Sequence, residues 1–375
     1  MRRESNGQGQ NHAHAVRGWR SRLRGAAGET LRELLEEKGM TQRELAERVG
    51  LSPKHVNQLI HGLVRLTPEV AESLERVVGT PAKLWNRLEA DYQSTMARLR
   101  SVRNLEQHAG WLKELPVSEL VKRKILPEEP SDKISRIDQL LAFFAVASVD
   151  VWRELYEQPA AYAFRKSKVQ DSKLGPLATW LRLGEIEAQA MLCGSFDATA
   201  LRASLPELRA LTVLPAQEFR PRLQKICSAS GVAVVFIEEV KGARVSGVTR
   251  KIGTKRVIQL SQRYRTDDQL WFSFFHEIHH VLNGDDEMRI EIAGRTDIED
   301  PKELEADRFS ADTLIPPQYA SRLAGLTSKA AVRAFAEEIG IAPGIVIGRL
   351  QREHPRRWPY RNGNDLKRKL DLLET

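Results

Sequence analysis

Three residues of the segment 271–282 have the types and spacing that metal-assisted hydrolysis needs. His276, Glu277 and His280 form the pattern HExxH in a largely apolar stretch. On an α-helix, residues i and i+4 share one face about 5 to 6 Å apart, so both imidazoles can reach one tetrahedral zinc ion at roughly 2.0 to 2.1 Å. Glu277 stands beside the first histidine, where a carboxylate can act as general base toward the attacking water. The pattern makes a zinc metallopeptidase the first hypothesis.

A second predicted helix supplies the remaining ligand. The segment 301–316 has apolar residues at helical spacing, including Leu304 and Leu314, and ends at a proline. Glu303 and Asp307 share its other face. A catalytic zinc needs three protein ligands and an open position, and a ligating histidine usually donates its second nitrogen to a carboxylate. We therefore predict that Glu303 is the third ligand and that Asp307 supports a histidine from behind.

Two neighbouring residues compete for the ligand positions. Glu305 lies two positions after Glu303 and points away from its face. His279 is three positions after His276 and could replace His280. The i, i+4 histidine pair suits zinc better, so His279 is predicted to line the cleft. A degenerate site without metal is the remaining alternative.

The stretch from about residue 215 to 361 resembles the ImmA/IrrE-type metallopeptidases, a zincin-like group. Residues 276–280 are similar to the family motif HE(I/L)GH, and residues 303–316 to E-x-E-A-(N/D)-x-F-(A/S)-x-x-L-L-x-P. The tail 341–351 also matches. The resemblance implies a zinc endopeptidase that cleaves a repressor-like or antitoxin-like protein. His279 departs from the family, which usually has a small residue there, at a position that bears on substrate access.

A separate helical module precedes this region. Between residues 28 and 79, apolar residues recur at helical spacing, and three glycines divide the pattern into short helices. Thr41 and Glu44 form a predicted capping box, and Ser52 is a predicted N-cap followed by proline. The link between these two helices is short and contains a glycine, as in a helix-turn-helix, so the helix from Pro53 to His61 is predicted to enter a DNA major groove.

Four polar residues of this module are candidate DNA contacts. Lys54, Asn57 and Gln58 would face outward from the second helix toward base edges, and Gln42 would touch the DNA backbone. The module resembles the XRE family, HigA antitoxin type, in three segments: 39–52, 66–69 and 79–85. That resemblance implies a double-stranded DNA partner and a homodimer. A bundle used only for protein contacts stays open, because nine Lys/Arg face eleven Asp/Glu between Gly28 and Tyr92.

Composition limits the remaining possibilities. The 375 residues carry a net charge of +8 with a pI near 9.5, which favours polyanionic partners. Residues 1–27 are rich in arginine and poor in apolar groups, so they are either a disordered arm that contacts phosphates or a solvated or misannotated start. No apolar run is long enough to span a membrane and no signal peptide is recognisable. Cys193 and Cys227 are interpreted as buried thiols of a reducing cytoplasm.

The sequence thus predicts a multidomain cytoplasmic protein with an all-α helix-turn-helix bundle, a helical connector and an α+β zincin-like domain. Three strands are predicted before the HExxH helix, at 232–237, 245–252 and 256–261, and an exposed edge there could pair with an extended peptide. The predicted function is a DNA-binding regulator whose zinc endopeptidase cleaves a regulatory protein. The alternative is a non-enzymatic regulator or antitoxin in which the zincin domain senses a ligand or binds a toxin. The predicted domains are 1–27 (arm), 28–98 (helix-turn-helix), 99–214 (connector) and 215–375 (metallopeptidase).

Overall fold

The protein divides into two compact units. A computed structural model describes residues 26–129, 132–166, 173–261, 266–284, 288–292, 300–359 and 361–370. The units are Met1–Gln107 and His108–Thr375. The predicted arm lies outside the described residues except for its last two positions. No helix within the described ranges is long and apolar enough to cross a membrane.

The first unit is all-α in its described part. Its helices are Ala26–Glu37 (α1), Gln42–Val49 (α2), Pro53–Ile60 (α3), Pro68–Val78 (α4) and Ala82–Gln107 (α5). The predicted capping box is present, since Thr41 and Glu44 each bind the other's backbone N–H. Ser52 caps α3 as predicted. The helices enclose one core that includes Leu31, Leu45 and Trp85.

Helix α5 runs through the domain boundary predicted at residue 98. It continues to Gln107 because the segment 82–107 contains neither glycine nor proline to end it. The division of the chain into compact units accordingly falls between residues 107 and 108, nine residues after the predicted boundary.

The second unit begins with helices. They are Val117–Lys122 (α6), Lys133–Phe144 (α7), Val149–Lys166 (α8), Leu174–Ala190 (α9), Ala198–Ala203 (α10), Leu205–Ala210 (α11) and Ala216–Ala229 (α12). Helices therefore fill most of the predicted connector, but this region belongs to the same compact unit as the C-terminal part of the chain. Cys227 is buried as predicted. Cys193 is only partly buried, because it lies in the irregular segment after α9.

A four-stranded sheet follows, with the order β1-β3-β2-β4. The strands are Val232–Ile237 (β1), Val245–Ile252 (β2), Lys255–Ser261 (β3) and Arg289–Ile292 (β4). β1 runs parallel to β3, while β2 is antiparallel to both β3 and β4. The three predicted strands are present, and β4 is an addition. Within the described part of the chain, β2 is therefore an interior strand.

The C-terminal half packs helices around one long buried helix. The helices are Asp267–Leu282 (α13), Pro301–Leu314 (α14), Pro317–Ala320 (α15), Lys329–Ile339 (α16) and Pro343–Glu353 (α17). The aromatic residues Trp271, Phe274 and Phe275 of α13 are buried in this core, as their apolar run predicts. The prediction that Leu304 belongs to the buried apolar face of α14 is wrong. This residue is 45% exposed, and Ala306 is buried instead. Two positions separate them on α14, so they lie on different helix faces.

Candidate functional site

Two imidazoles converge on the buried face of α13. His276 and His280 are both buried, and their Nε2 atoms lie 3.2 Å apart. The i, i+4 spacing places both rings on one side of the helix, and the surrounding aromatic core fixes that side toward the protein interior. Both Nε2 atoms therefore lie in one small volume.

Glu303 enters the same volume from α14. This helix starts at Pro301, and the Asp300 carboxylate caps it by accepting a hydrogen bond from the Lys302 N–H at 3.1 Å. The cap places Glu303 in the first turn. Its Oε2 lies 3.1 Å from His276 Nε2 and 3.8 Å from His280 Nε2.

The separations suit a tetrahedral zinc ion. Ligands at roughly 2.0 to 2.1 Å from a tetrahedral ion stand about 3.3 to 3.4 Å from one another, and the three observed separations are 3.1, 3.2 and 3.8 Å. Two imidazoles and one carboxylate are also a donor set that catalytic zinc uses. Burial opposes ionisation of Glu303, but hydrogen bonds and charge from His276 and His280 outweigh it and lower the pKa of this carboxyl. These contacts therefore favour the ionised form of the Glu303 carboxyl, which is the form in which a carboxylate binds zinc.

Asp307 supports His276 from behind. Its Oδ1 lies 3.0 Å from His276 Nδ1, and its Oδ2 accepts a hydrogen bond from Arg352 Nη2 at 2.7 Å. Burial opposes ionisation here too, but the partners His276 and Arg352 lower the pKa of Asp307. The carboxylate can thus hold the Nδ1 proton and leave Nε2 for a metal. The sequence did not predict the contribution of Arg352, because no local sequence pattern links a residue of α17 to position 307.

The Glu277 carboxylate packs against strand β2 of the sheet. Its side chain is buried at 1% exposure and accepts a hydrogen bond from the Thr249 hydroxyl on β2. Gly247, two residues earlier on the strand, leaves room for the other carboxylate oxygen. Sequence reasoning did not identify Thr249 or Gly247, since no residue spacing links a strand to a helix turn.

The first unit brings its candidate DNA contacts together on α2 and α3. Lys54 and Asn57 are exposed, whereas Gln42 and Gln58 are half-buried. Asn57 Nδ2 donates a hydrogen bond to Gln42 Oε1 at 3.3 Å, so the two helices are linked through the predicted contact residues. Gly50, with φ of 73°, ends α2 in the left-handed conformation that the turn requires.

Two family models match separate parts of the chain. Residues 31–85 match the helix-turn-helix family model, and residues 227–350 match the model of the IrrE N-terminal-like domain of the M78 peptidases. The chain joins an XRE-type helix-turn-helix domain to an IrrE-type peptidase domain. It is thus a regulator with a peptidase-like domain.

Two solved structures are similar to part of the chain. One is an addiction module antidote protein of the HigA family from Coxiella burnetii, with 27% identity over 22% of this chain and 89% of that one, at a TM-score of 0.20. The other is the clp gene regulator ClgR from Corynebacterium glutamicum, with 30% identity over 23% of this chain and 93% of that one, at a TM-score of 0.18. Both TM-scores lie below the range that indicates a shared overall fold. No curated protein sequence matches the chain.

In the IrrE-type domain, the two competing residues lie outside the group of three ligand atoms. The described residues form one such group, which consists of His276, His280 and Glu303, with all ligand atoms within 4.8 Å of one another. The His279 ring packs on Phe309, with ring centroids 5.3 Å apart. His279 and Glu305 border an open groove of about 430 Å³ on α13 and α14.

A larger cavity lies beside Asp307, the partner of His276. It measures about 600 Å³ and lies between α13, α14 and α17. Its wall includes Asp307, which contacts His276, and Ser246, which precedes Gly247 on β2. Apolar side chains such as Phe272 and Ile345 also line it. The volume is within the range of ligand-binding clefts, roughly 300 to 1,000 Å³.

Proposed function

We propose that this regulator is a zinc-dependent endopeptidase that cleaves a regulatory protein and binds double-stranded DNA as a homodimer. The single observation that carries the proposal is the convergence of His276, His280 and Glu303 beside a buried Glu277. A site that only held the fold together would not need a buried carboxylate next to the ligands. The match to a helix-turn-helix model supports the cytoplasm as the location of the protein, because a DNA-binding domain acts where DNA is.

The chemistry follows from the donor set and its neighbours. A zinc ion held by His276, His280 and Glu303 would polarise a peptide carbonyl and lower the pKa of an attacking water. Glu277 would accept a proton from that water as the water oxygen bonds to the carbonyl carbon. It would then donate this proton to the amine nitrogen as the carbon–nitrogen bond breaks. Asp307 keeps the His276 ring in the tautomer that a metal needs.

The test compares wild type with Glu277→Gln. Glutamine is nearly isosteric, so the variant should keep zinc, fold and DNA binding. It should lose turnover by a factor on the order of 10² or more, because the general base is gone. Both proteins are incubated with lysate of cells that lack the gene, and new peptide termini are identified by mass spectrometry.

Two results would count against the proposal. Equal sets of new termini for wild type and variant would mean that Glu277 is not the base. An absence of new termini, combined with an unchanged regulated gene set in cells carrying Glu277→Gln, would favour a domain that senses a ligand or binds a toxin.

A further inference from the structure

Two residues of strand β2, Gly247 and Thr249, lie against the carboxylate of Glu277. We infer that Thr249 is a positioning residue for the general base and that Gly247 keeps the necessary space. This inference rests on the proposed function, since it assigns a partner to the base in that reaction.

The Thr249 hydroxyl binds Glu277 directly. Thr249 is 0% exposed, and its Oγ1 donates to Glu277 Oε2 in a short hydrogen bond. The Glu277 backbone carbonyl lies farther from the same hydroxyl, at 3.4 Å. A threonine has one hydroxyl proton, and an ionised carboxylate is the stronger acceptor. The proton therefore goes to Oε2.

Gly247 is adapted to the other carboxylate oxygen. A Cβ atom at position 247 would lie 2.6 Å from Glu277 Oε1 and 3.2 Å from its Cδ. Real Cβ atoms do not approach other atoms so closely, so any side chain at 247 would displace the carboxylate. Positions 247 and 249 lie on the same face of the strand, because side chains alternate along it.

The strand itself is held on both sides. Thr249 is opposite Ile258 of β3 and Arg289 of β4, and Gly247 is opposite Leu260 and Glu291. An interior strand with hydrogen bonds to two neighbours moves less than an edge strand or loop. The hydroxyl is therefore a fixed reference point for the carboxylate of Glu277, as a preorganised general base requires.

Packing alone does not require this pair. The aromatic residues Trp271, Phe274 and Phe275 already anchor α13 in the core. An apolar pair of the same size would fill the same space and stabilise the packing equally well. A buried carboxylate and its hydroxyl partner must in addition lose their hydrating water when the protein folds, which costs free energy. A chemical role of the Glu277 carboxylate explains why this pair is buried.

The experiment uses the full chain with cobalt in place of zinc and acetohydroxamate as the probe. This acid gives up a proton when it binds a metal, so its affinity depends on a nearby base and needs no knowledge of the protein substrate. Binding is followed through the visible absorption of cobalt. The variants are Thr249→Val, Thr249→Ser, Gly247→Ala and Glu277→Gln. The matched control is Thr212→Val, a buried threonine whose hydroxyl has no hydrogen-bond partner among the described residues.

We expect Thr249→Val to keep one cobalt per chain and to bind acetohydroxamate about tenfold or more weakly, because a hydrogen bond to a charged group is lost. Thr249→Ser should restore the affinity, because it keeps the hydroxyl. Gly247→Ala should weaken binding as well, and Thr212→Val should match wild type.

Wild-type affinity in Thr249→Val, tighter binding in that variant, or no rescue by serine would each overturn the inference. Loss of cobalt or of near-ultraviolet circular dichroism only in Thr249→Val would assign Thr249 a structural role and overturn it too. Failure of the proposed function looks different: Glu277→Gln would then bind acetohydroxamate as well as wild type.

Discussion

Replacing Asp307 with alanine should weaken zinc binding by about tenfold, at the low end of the 10-fold to 100-fold effect typical of such partners. Its Oδ1 lies 3.0 Å from His276 Nδ1 and is the observed partner that can fix the tautomer of this ring. Two features of the structure place the effect at the low end. The Asp307 side chain is 31% exposed, and Arg352 already offsets part of its charge at 2.7 Å. A tenfold loss corresponds to about 1.4 kcal/mol.

The assay is competition for zinc between the protein and a chromophoric chelator at neutral pH. Asp312→Ala is the matched control, since Asp312 lies on the same helix and borders the same cavity as Asp307. The control should bind zinc as tightly as wild type, and circular dichroism should show that both variants are folded. Equal losses in the two variants would refute the reasoning, because the effect would then come from the charge of the helix and not from the His276 contact. An unchanged affinity in Asp307→Ala would refute it as well.

Three further predictions follow from the same structure. Glu303→Ala should lose most of the metal while Glu305→Ala keeps it, as measured by zinc content after dialysis, and the reverse result would show the ligand assignment to be wrong. Lys54→Ala combined with Gln58→Ala should lose sequence preference in a random-duplex selection, at about 1 to 3 kcal/mol per base contact, and an unaltered preference would remove both residues from the interface. Burial and the charge of Asp268 raise the pKa of Asp267 to about 6. The folded state therefore gains stability as the pH falls through 6. In urea unfolding, the free energy of unfolding of wild type should rise by about 2 kcal/mol relative to that of Asp267→Asn between about pH 7 and pH 4.5. A difference between the two proteins that stays constant over this range would contradict the prediction.

Local patterns were sufficient for the parts of this protein that depend on neighbouring residues. The capping box at Thr41, the N-cap at Ser52 and the apolar strands β1 to β3 are set by contacts within a few positions, and the structure confirms them. The HExxH spacing is of the same kind, because one helix turn brings His276 and His280 to one face. Helical periodicity and the number of ligands that zinc needs are also sufficient to predict Glu303 as the third ligand.

Only the tertiary structure decided how these elements meet. The contact between His276 and Glu303 depends on the packing of α14 against α13, and the contact between Asp307 and Arg352 depends on where α17 lies. Thr249 reaches the general base because β2 is an interior strand beside α13, a position that is set by strand order. The exposure of Leu304 has the same origin. Periodicity shows which residues share a face, but the partner that covers the face is chosen by long-range packing, which no local pattern encodes.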